Sequence, residues 1–425
     1  MSQVKSLKTG IKFKDSPIGK IPVDWGADPF SEIAEINPKR NLKRDNVYPF
    51  VEMAAISSES HRVQYSISRK FEGGGSKFQN EDTIFARITP CTENGKTAFV
   101  DFLKNSEFGH GSTEFIILSP KKNVDAKYIY YCVKWDKVRN IAISKMEGTS
   151  GRQRVPSKVF YEDIFVGIPP FQEQKKIAEI LTTVDDGIEE TDRIIEKTKE
   201  LKKGLMQKLL TRGIGHKKFK KTEIGEIPEE WEVMRLKEAV KEFYNGGTPD
   251  TKVKEYWDGD IPWATGADFV NKRIGQIRRY ITIEGVKNSA TNVIPKGNLL
   301  VVTRTGVGKL AIAPFDIAIS QDITGVITDD KKLLPDFLYH FFDYHEKKLK
   351  SFVQGTSING LLREDLALIS ICIPKLKEQK EITNILSDVD SEIDNEEIYK
   401  QYLGVLKKSL MQVLLTGKVR VKLSQ

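Results

Sequence analysis

The chain has 425 residues, 39% hydrophobic and 30% charged, which fits a soluble protein of two or three domains. No apolar run approaches the roughly 18 residues of a membrane-spanning helix. The start, with Lys5, Lys8 and Lys12 among polar residues, lacks the apolar stretch of a signal peptide. A net charge of +8 suits a polyanionic partner without requiring one.

The first punctuated element is Phe13-Lys14-Asp15-Ser16-Pro17-Ile18-Gly19-Lys20-Ile21-Pro22-Val23-Asp24-Trp25. It returns as Phe219-Lys220-Lys221-Thr222-Glu223-Ile224-Gly225-Glu226-Ile227-Pro228-Glu229-Glu230-Trp231. Solenoid repeats span about 20–50 residues, so a period near half the chain means two tandem domains. Short strands and loops fill the middle of each half. Thr83–Ile88 and Asn298–Arg304 are β-rich runs, and Phe115–Leu118 and Gly325–Ile327 read as further core strands. An amphipathic helix follows in each half, with Asp125 and Asp336 as the expected N-caps. A Gly-Thr-Ser loop comes next (Gly148–Ser150, Gly355–Ser357), then a last strand ending at Ile168-Pro169 or Ile373-Pro374.

The final stretch of each half predicts one long helix. Ile177, Leu181, Val184, Ile188, Thr191, Ile195 and Thr198 alternate four and three apart; after a phase slip Leu201, Leu205 and Leu209 resume. Ile382, Leu386, Val389, Ile393, Leu406, Leu410 and Leu414 repeat the design. Such helices are about 57 Å long and carry a narrow coiled-coil stripe, for which the other copy is the nearest matching surface. The expected architecture is therefore α+β: two tandem domains, related by a pseudo-two-fold axis and joined by two long antiparallel coiled-coil helices. The boundaries are residues 1–172, 173–212, 213–377 and 378–425.

Cys91, Cys132 and Cys372 have no CxxC spacing and read as free thiols in a cytoplasmic protein. Basic residues crowd three places: Arg212–Lys221, the loop of Lys39, Arg40, Lys43 and Arg44, and the loop of Lys272, Arg273, Arg278 and Arg279. Enzyme motifs fail one by one. Ile168-Pro169-Pro170-Phe171 resembles an amino-methyltransferase motif but has Ile168 where an amide or carboxylate must accept. Gly306–Leu310 hints at a phosphate loop, yet Thr303 replaces the first glycine and Leu310 the Mg²⁺-binding hydroxyl. Pro335-Asp336 with Glu346-Lys347-Lys348 fits a nuclease pattern only formally, and the first half lacks the Glu-x-Lys. Among His61, His110, His216, His340 and His345 only the last two are close, five apart and badly placed for one helix face. Gly73–Gly75 reads as a loop or bulge. Neither a catalytic nor a metal-binding constellation emerges.

What recurs is a set of polar residues at strand ends. The first half offers Arg87, Thr89, Thr92, Glu93, Asn94 and Lys96, then Ser112 and Thr113, then Thr149, Ser150, Arg152, Gln153 and Arg154. The second offers Arg304, Thr305 and Lys309, then Gln321 and Asp322, then Thr356, Ser357, Asn359 and Arg363. Arg, Lys, Asn and Gln can make paired contacts to base edges, and hydroxyls and Gly-flanked amides suit phosphates.

Several of these segments carry a resemblance. The Ile-Gly-x-Ile-Pro-x-x-Trp entries, Ile88–Lys96, Gly111–Phe115, the Gly-Thr-Ser loops and the Pro-x-x-Glu-Gln-x-x-Ile starts of the long helices resemble the specificity subunit of type I restriction–modification enzymes. The second half departs mildly, at Thr303–Leu310 and at Gln321-Asp322. The resemblance implies two target-recognition domains, each reading half of a split double-stranded DNA site. It implies a coiled coil that sets the gap and docks two methyltransferase subunits, through which restriction subunits join. S-adenosylmethionine, ATP and Mg²⁺ would belong to those partners, leaving this subunit without cofactor or catalytic residue. The rival readings are a free-standing DNA enzyme and a scaffold without DNA readout.

Overall fold

A computed structural model of the chain describes residues 12–103, 108–149, 151–270, 273–351 and 360–422. It divides into two compact units: unit 1 is Met1–Ile194 with Glu396–Gln425, and unit 2 is Ile195–Asn395.

Unit 1 has two four-stranded sheets built from β1 (Ala34–Ile36), β2 (Val47–Val51), β3 (Ile67–Lys70), β4 (Ser76–Phe78), β5 (Thr83–Ala86), β6 (Thr97–Phe99), β7 (Gly109–Gly111) and β8 (Phe115–Pro120). One sheet runs β1-β8-β5-β6 and is antiparallel; the other runs β3-β2-β7-β4, with β2 and β7 parallel. Residues of β5 and β8 point alternately to opposite faces, as the two-residue strand period demands. Ile84, Ala86, Phe115 and Ile117 enter one core, whereas Phe85, Ile116 and Leu118 enter a second, with helix Ala126–Lys134. Both faces are buried, which explains the unbroken apolar runs in the sequence. Asp125 caps that helix as expected, accepting from the Tyr128 N–H at 2.9 Å.

Unit 2 repeats the plan strand for strand. Its strands are β9 (Val240–Asn245), β10 (Trp257–Ala264), β11 (Tyr280–Ile281), β12 (Val293–Ile294), β13 (Leu299–Val302), β14 (Leu310–Ile312), β15 (Ile317–Ile319) and β16 (Ile323–Thr328). The orders are β9-β16-β13-β14 and β11-β10-β15-β12, with β10 and β15 parallel. The diverged middles of the two halves thus share one topology. Asp336 is not the cap of helix Pro335–Tyr344: Pro335 takes the first helical position, where its missing N–H costs nothing, and Leu334 becomes the cap.

The repeated flanks hold each domain to its long helix. Trp25 and Trp231 are almost wholly buried, and each indole N–H donates to a glutamate in the first turn of a long helix, Glu173 or Glu378, at 3.0 Å. The glutamine beside each glutamate accepts from the backbone where the domain helix begins: Asp125 N–H to Gln174 at 3.0 Å, Leu334 N–H to Gln379 at 2.8 Å. The other end of each amide donates to Pro169 or Pro374 carbonyl oxygen at 2.9 Å. Arg420 joins Glu173 to Asp24 in unit 1, and His216 meets Glu378 in unit 2.

The long helices span Phe171–Arg212 and Leu376–Leu414. Unit 1 contains the start of the first and the end of the second, and unit 2 the reverse. In unit 1 they run antiparallel, with Asp185 paired to Lys407 and Asp192 to Lys400. Ile177, Leu181, Ile188, Ile195, Ile382, Leu386 and Ile393 are buried, while Val184, Leu205, Val389 and Leu410 are half-buried. Leu201 and Leu406 depart from the expected seam: they are 56% and 46% exposed. The inward place one residue later belongs to Lys202 and Lys407, then to Met206 and Met411. Each lysine keeps that place because its ammonium reaches an aspartate, Asp390 or Asp185, at 2.5 Å. Among the described residues, no helix is long and apolar enough to cross a membrane.

Candidate nucleic-acid interface

In unit 1 the expected polar residues gather where β5 ends and β8 begins, adjacent ends of an antiparallel pair with Ala86 opposite Phe115. The Arg87 N–H donates to Glu114 carbonyl oxygen at 3.0 Å, and the Arg87 carbonyl accepts from the Val155 N–H at 2.8 Å. Thr89 N–H donates to Gln153 carbonyl oxygen at 3.0 Å, and Ile88 bridges Arg154. Arg87, Thr89, Ser112, Thr113, Arg152 and Arg154 therefore share one rim.

Their side chains are not equally available. Arg154 is clamped by Glu114, which accepts from its Nε and Nη2 at 2.7–3.0 Å. Arg152, Thr113 and Thr149 are exposed. The Arg87 Nε is buried without a hydrogen-bond partner, a donor facing no acceptor of the chain. Asn94 is exposed on the turn beyond, and Lys96 donates to Met53 carbonyl oxygen at 3.0 Å. Thr92 is a correction: it is fully buried, and its hydroxyl closes its own turn by donating to Ala86 carbonyl oxygen at 2.9 Å. Ser150 lies outside the described residues.

Unit 2 builds the same rim with the same backbone cage. The Thr303 N–H donates to Asp322 carbonyl oxygen and the Thr303 carbonyl accepts from the Leu361 N–H, both at 2.7 Å. Thr303, Asp322 and Gly360 thereby stand where Arg87, Glu114 and Arg154 stand in unit 1. Arg304, Thr305, Gln321 and Arg363 are exposed around this cage. Gln321 accepts from the Thr248 hydroxyl, and Lys309 donates to Gly266 carbonyl oxygen at 3.2 Å. Thr356, Ser357 and Asn359 lie outside the described residues.

Some members of the basic clusters are taken up in pairs. Arg40 is buried in a two-pronged pair with Asp82, at 2.6 and 3.0 Å, and also donates to Ser119. Arg278 pairs with Asp268, Arg212 with Glu226, and Arg273 with Asp394. Arg279 lies over the Trp257 ring at 3.8 Å. Lys39, Lys43, Arg44, Lys217, Lys218 and Lys221 are exposed.

One cluster has no signal in the sequence pattern. His61 is buried beside Glu189 and Asp186 of the first long helix, at 3.2 and 3.8 Å. These three could hold a metal by proximity. The tautomer speaks against it: Arg62 Nε donates to His61 Nε2 at 3.1 Å, so the ring proton sits on Nδ1, the nitrogen facing Glu189. A metal on Nδ1 would need that proton moved to Nε2, against the guanidinium. Burial holds the His61 pKa below its ordinary value, keeping the ring neutral.

Each unit is thus an α+β domain seated on long helices and bearing a rim of polar side chains at its strand ends. The chain matches the type I restriction modification DNA specificity domain twice, over residues 22–200 and 228–402, and it belongs to that family. A Methanocaldococcus jannaschii chain named as the MjaX specificity subunit is 30% identical over 424 residues, covering 96% of this chain and 97% of that one. The MjaVIII specificity subunit of the same organism is 32% identical over 328 residues, covering 73% and 74%. The S subunit from M. genitalium shares the fold at a TM-score of 0.59 and 14% identity, covering 98% of each chain. A chain from another type I system scores 0.57 at 18% identity, covering 94% and 100%.

Proposed function

We propose that this specificity subunit reads a split DNA site, one half with each rim, and that it performs no chemistry itself. The observation that carries the reading is the shared backbone cage with exchanged side chains. Arg87, Glu114 and Arg154 in one unit answer to Thr303, Asp322 and Gly360 in the other. An identical support under different side chains is what two readers of different bases require, because base edges differ in their pattern of donors, acceptors and methyl groups. The exposed guanidinium groups of Arg152 and Arg304 supply donors for DNA at the two rims. The long helices set the gap and dock two methyltransferase subunits, through which restriction subunits join; S-adenosylmethionine, ATP and Mg²⁺ act on those partners, in the cytoplasm.

The test is a swap. Residues 30–155 are replaced by the corresponding segment of a relative, and the chain is expressed with its methyltransferase partner. Methylome sequencing should show one half-site changed and the other intact. A change in both half-sites would mean that recognition is shared between the units.

A further inference from the structure

We propose that each reading domain is strapped to its long helix at a second, acidic station well beyond the tryptophan anchor. In this reading the two straps, Ser60-His61-Arg62 on Asp186 and Glu189 and Arg273 on Asp394, hold the gap between half-sites to one length. The inference rests on the split-site reading above.

The strap in unit 1 is built from three consecutive residues. The Ser60 hydroxyl donates to Glu189 at 2.5 Å, His61 Nδ1 lies 3.2 Å from the same carboxylate, and Arg62 Nη2 donates to Asp186 at 3.1 Å. The loop carrying them is part of the reading domain. The Phe99 N–H of β6 donates to His61 carbonyl oxygen at 2.8 Å, and Ile56 bridges Val63 across the loop. Lys134 secures the loop from beneath, donating to Ser58 and Gly95 carbonyl oxygens at 2.8 Å.

Unit 2 reaches the corresponding acid with different chemistry. Asp394 stands on the second long helix where Glu189 stands on the first. Each lies about one helical turn beyond a lysine-paired aspartate, Asp390 or Asp185. Arg273 pairs with Asp394 from a short strand, Arg273–Ile274, that packs beside β14, the counterpart of β6. The position of the contact is kept while the residues making it have changed. A chance surface pair has no reason to recur at one station of a duplicated helix.

Geometry gives the straps their work. The anchors at Glu173 and Glu378 lie about 16 residues from Glu189 and Asp394, roughly 24 Å along a helix. Between anchor and strap each domain also packs on its helix, through Ile177, Leu181 and the Tyr131 hydroxyl on Asp185 in unit 1 and through Ile382 and Leu386 in unit 2; the strap carries that seat about one helical turn further and limits the pivot that remains. A pivot of the domain displaces its rim along the DNA without altering any side chain that reads a base.

The experiment uses the full chain and a library of duplexes with randomised centres, sequencing what it binds. The variants are Arg273→Ala, Arg273→Lys and the pair Asp186→Asn with Glu189→Gln. Arg273 is 61% exposed, so its removal leaves the fold intact. In wild type a wrong gap should cost roughly ten-fold or more, as a mismatched base pair does. In Arg273→Ala and in the Asp186/Glu189 pair, gaps one base pair longer or shorter should come within about two- or three-fold of the preferred one, with both half-sites unchanged. Arg273→Lys should restore the single gap. A single gap kept by both disrupted variants overturns the proposal, and so does loss of one half-site sequence at unchanged gap. Enrichment of one continuous motif by wild type would refute the split-site reading itself, whatever the variants do.

Discussion

Lys134 places its ammonium under the loop of unit 1, away from water. Burial pushes its ammonium down to about 7 from an ordinary 10.5, with repulsion from Lys407 adding to the effect. The neutral amine still has two N–H groups for the Ser58 and Gly95 carbonyls. Between about pH 7 and 10 the unfolded chain holds a proton that the folded chain has released. Stability therefore rises with pH across that window, by up to about 1.4 kcal/mol per unit, and is flat below it. Urea-unfolding midpoints at pH 7 and pH 9 should diverge in wild type. In Lys134→Met that share of the slope should vanish, even though the carbonyls left behind lower stability at both pH values. An equal slope in the two proteins would mean that the lysine stays charged in the fold. The reading rims, by contrast, were only partly legible at this scale. Strand ends pick out segments that the fold brings together, but no sequence pattern tells an exposed Arg152 from an Arg154 clamped by Glu114, or shows that the Thr92 hydroxyl serves its own turn.

At the scale of elements, the strands, the Asp125 cap and the long helices could be read from periodicity and turn chemistry. The phase of the seam could not. Leucine at 201 and 406 outbids lysine at 202 and 407 in any hydrophobic pattern, yet the lysines are inside because an aspartate waits for each. The signal was present in another form: both lysines and both aspartates recur in the repeat. Lys407 and Asp185 are 12% and 2% exposed, and Asp185 also accepts from the Tyr131 hydroxyl at 2.9 Å. Lys407→Ala leaves that carboxylate buried and uncompensated, which should cost about 3–5 kcal/mol. Lys407→Met combined with Asp185→Asn removes both charges and should recover most of the loss. Leu406→Ala, on the exposed neighbour, should change stability by no more than about 0.5 kcal/mol. Chemical denaturation of the three variants checks the phase directly. If Leu406→Ala were the costly one, the leucine pattern would mark the seam after all. The sequence showed two like halves, but the strand order of their middles and the parallel pair in each second sheet were beyond it, since backbone cages such as those around Arg87 and Thr303 constrain hydrogen bonds and leave side chains free to differ.

For the whole molecule, the proposed function makes the long helices shared between the two units a ruler, and this can be tested. Each helix passes from one compact unit to the other, at Ile194 and Ile195 in the first and at Asn395 and Glu396 in the second. Four residues inserted at both places lengthen each helix by about 6 Å and rotate its downstream half by about 40°. With the helices lying along the duplex, one to two extra base pairs match both changes, at about 3.4 Å and roughly 36° each. The methylated motif should keep its half-sites and gain one or two unread base pairs. Seven residues add about 10 Å but bring the helix almost back to its starting phase. Three base pairs fit that length and miss the rotation by roughly a third of a turn. The seven-residue variant should therefore bind more weakly than the four-residue one, although it disturbs the heptad less. An active four-residue variant with the wild-type gap would reduce the helices to docking surfaces and leave the spacing to the domains alone.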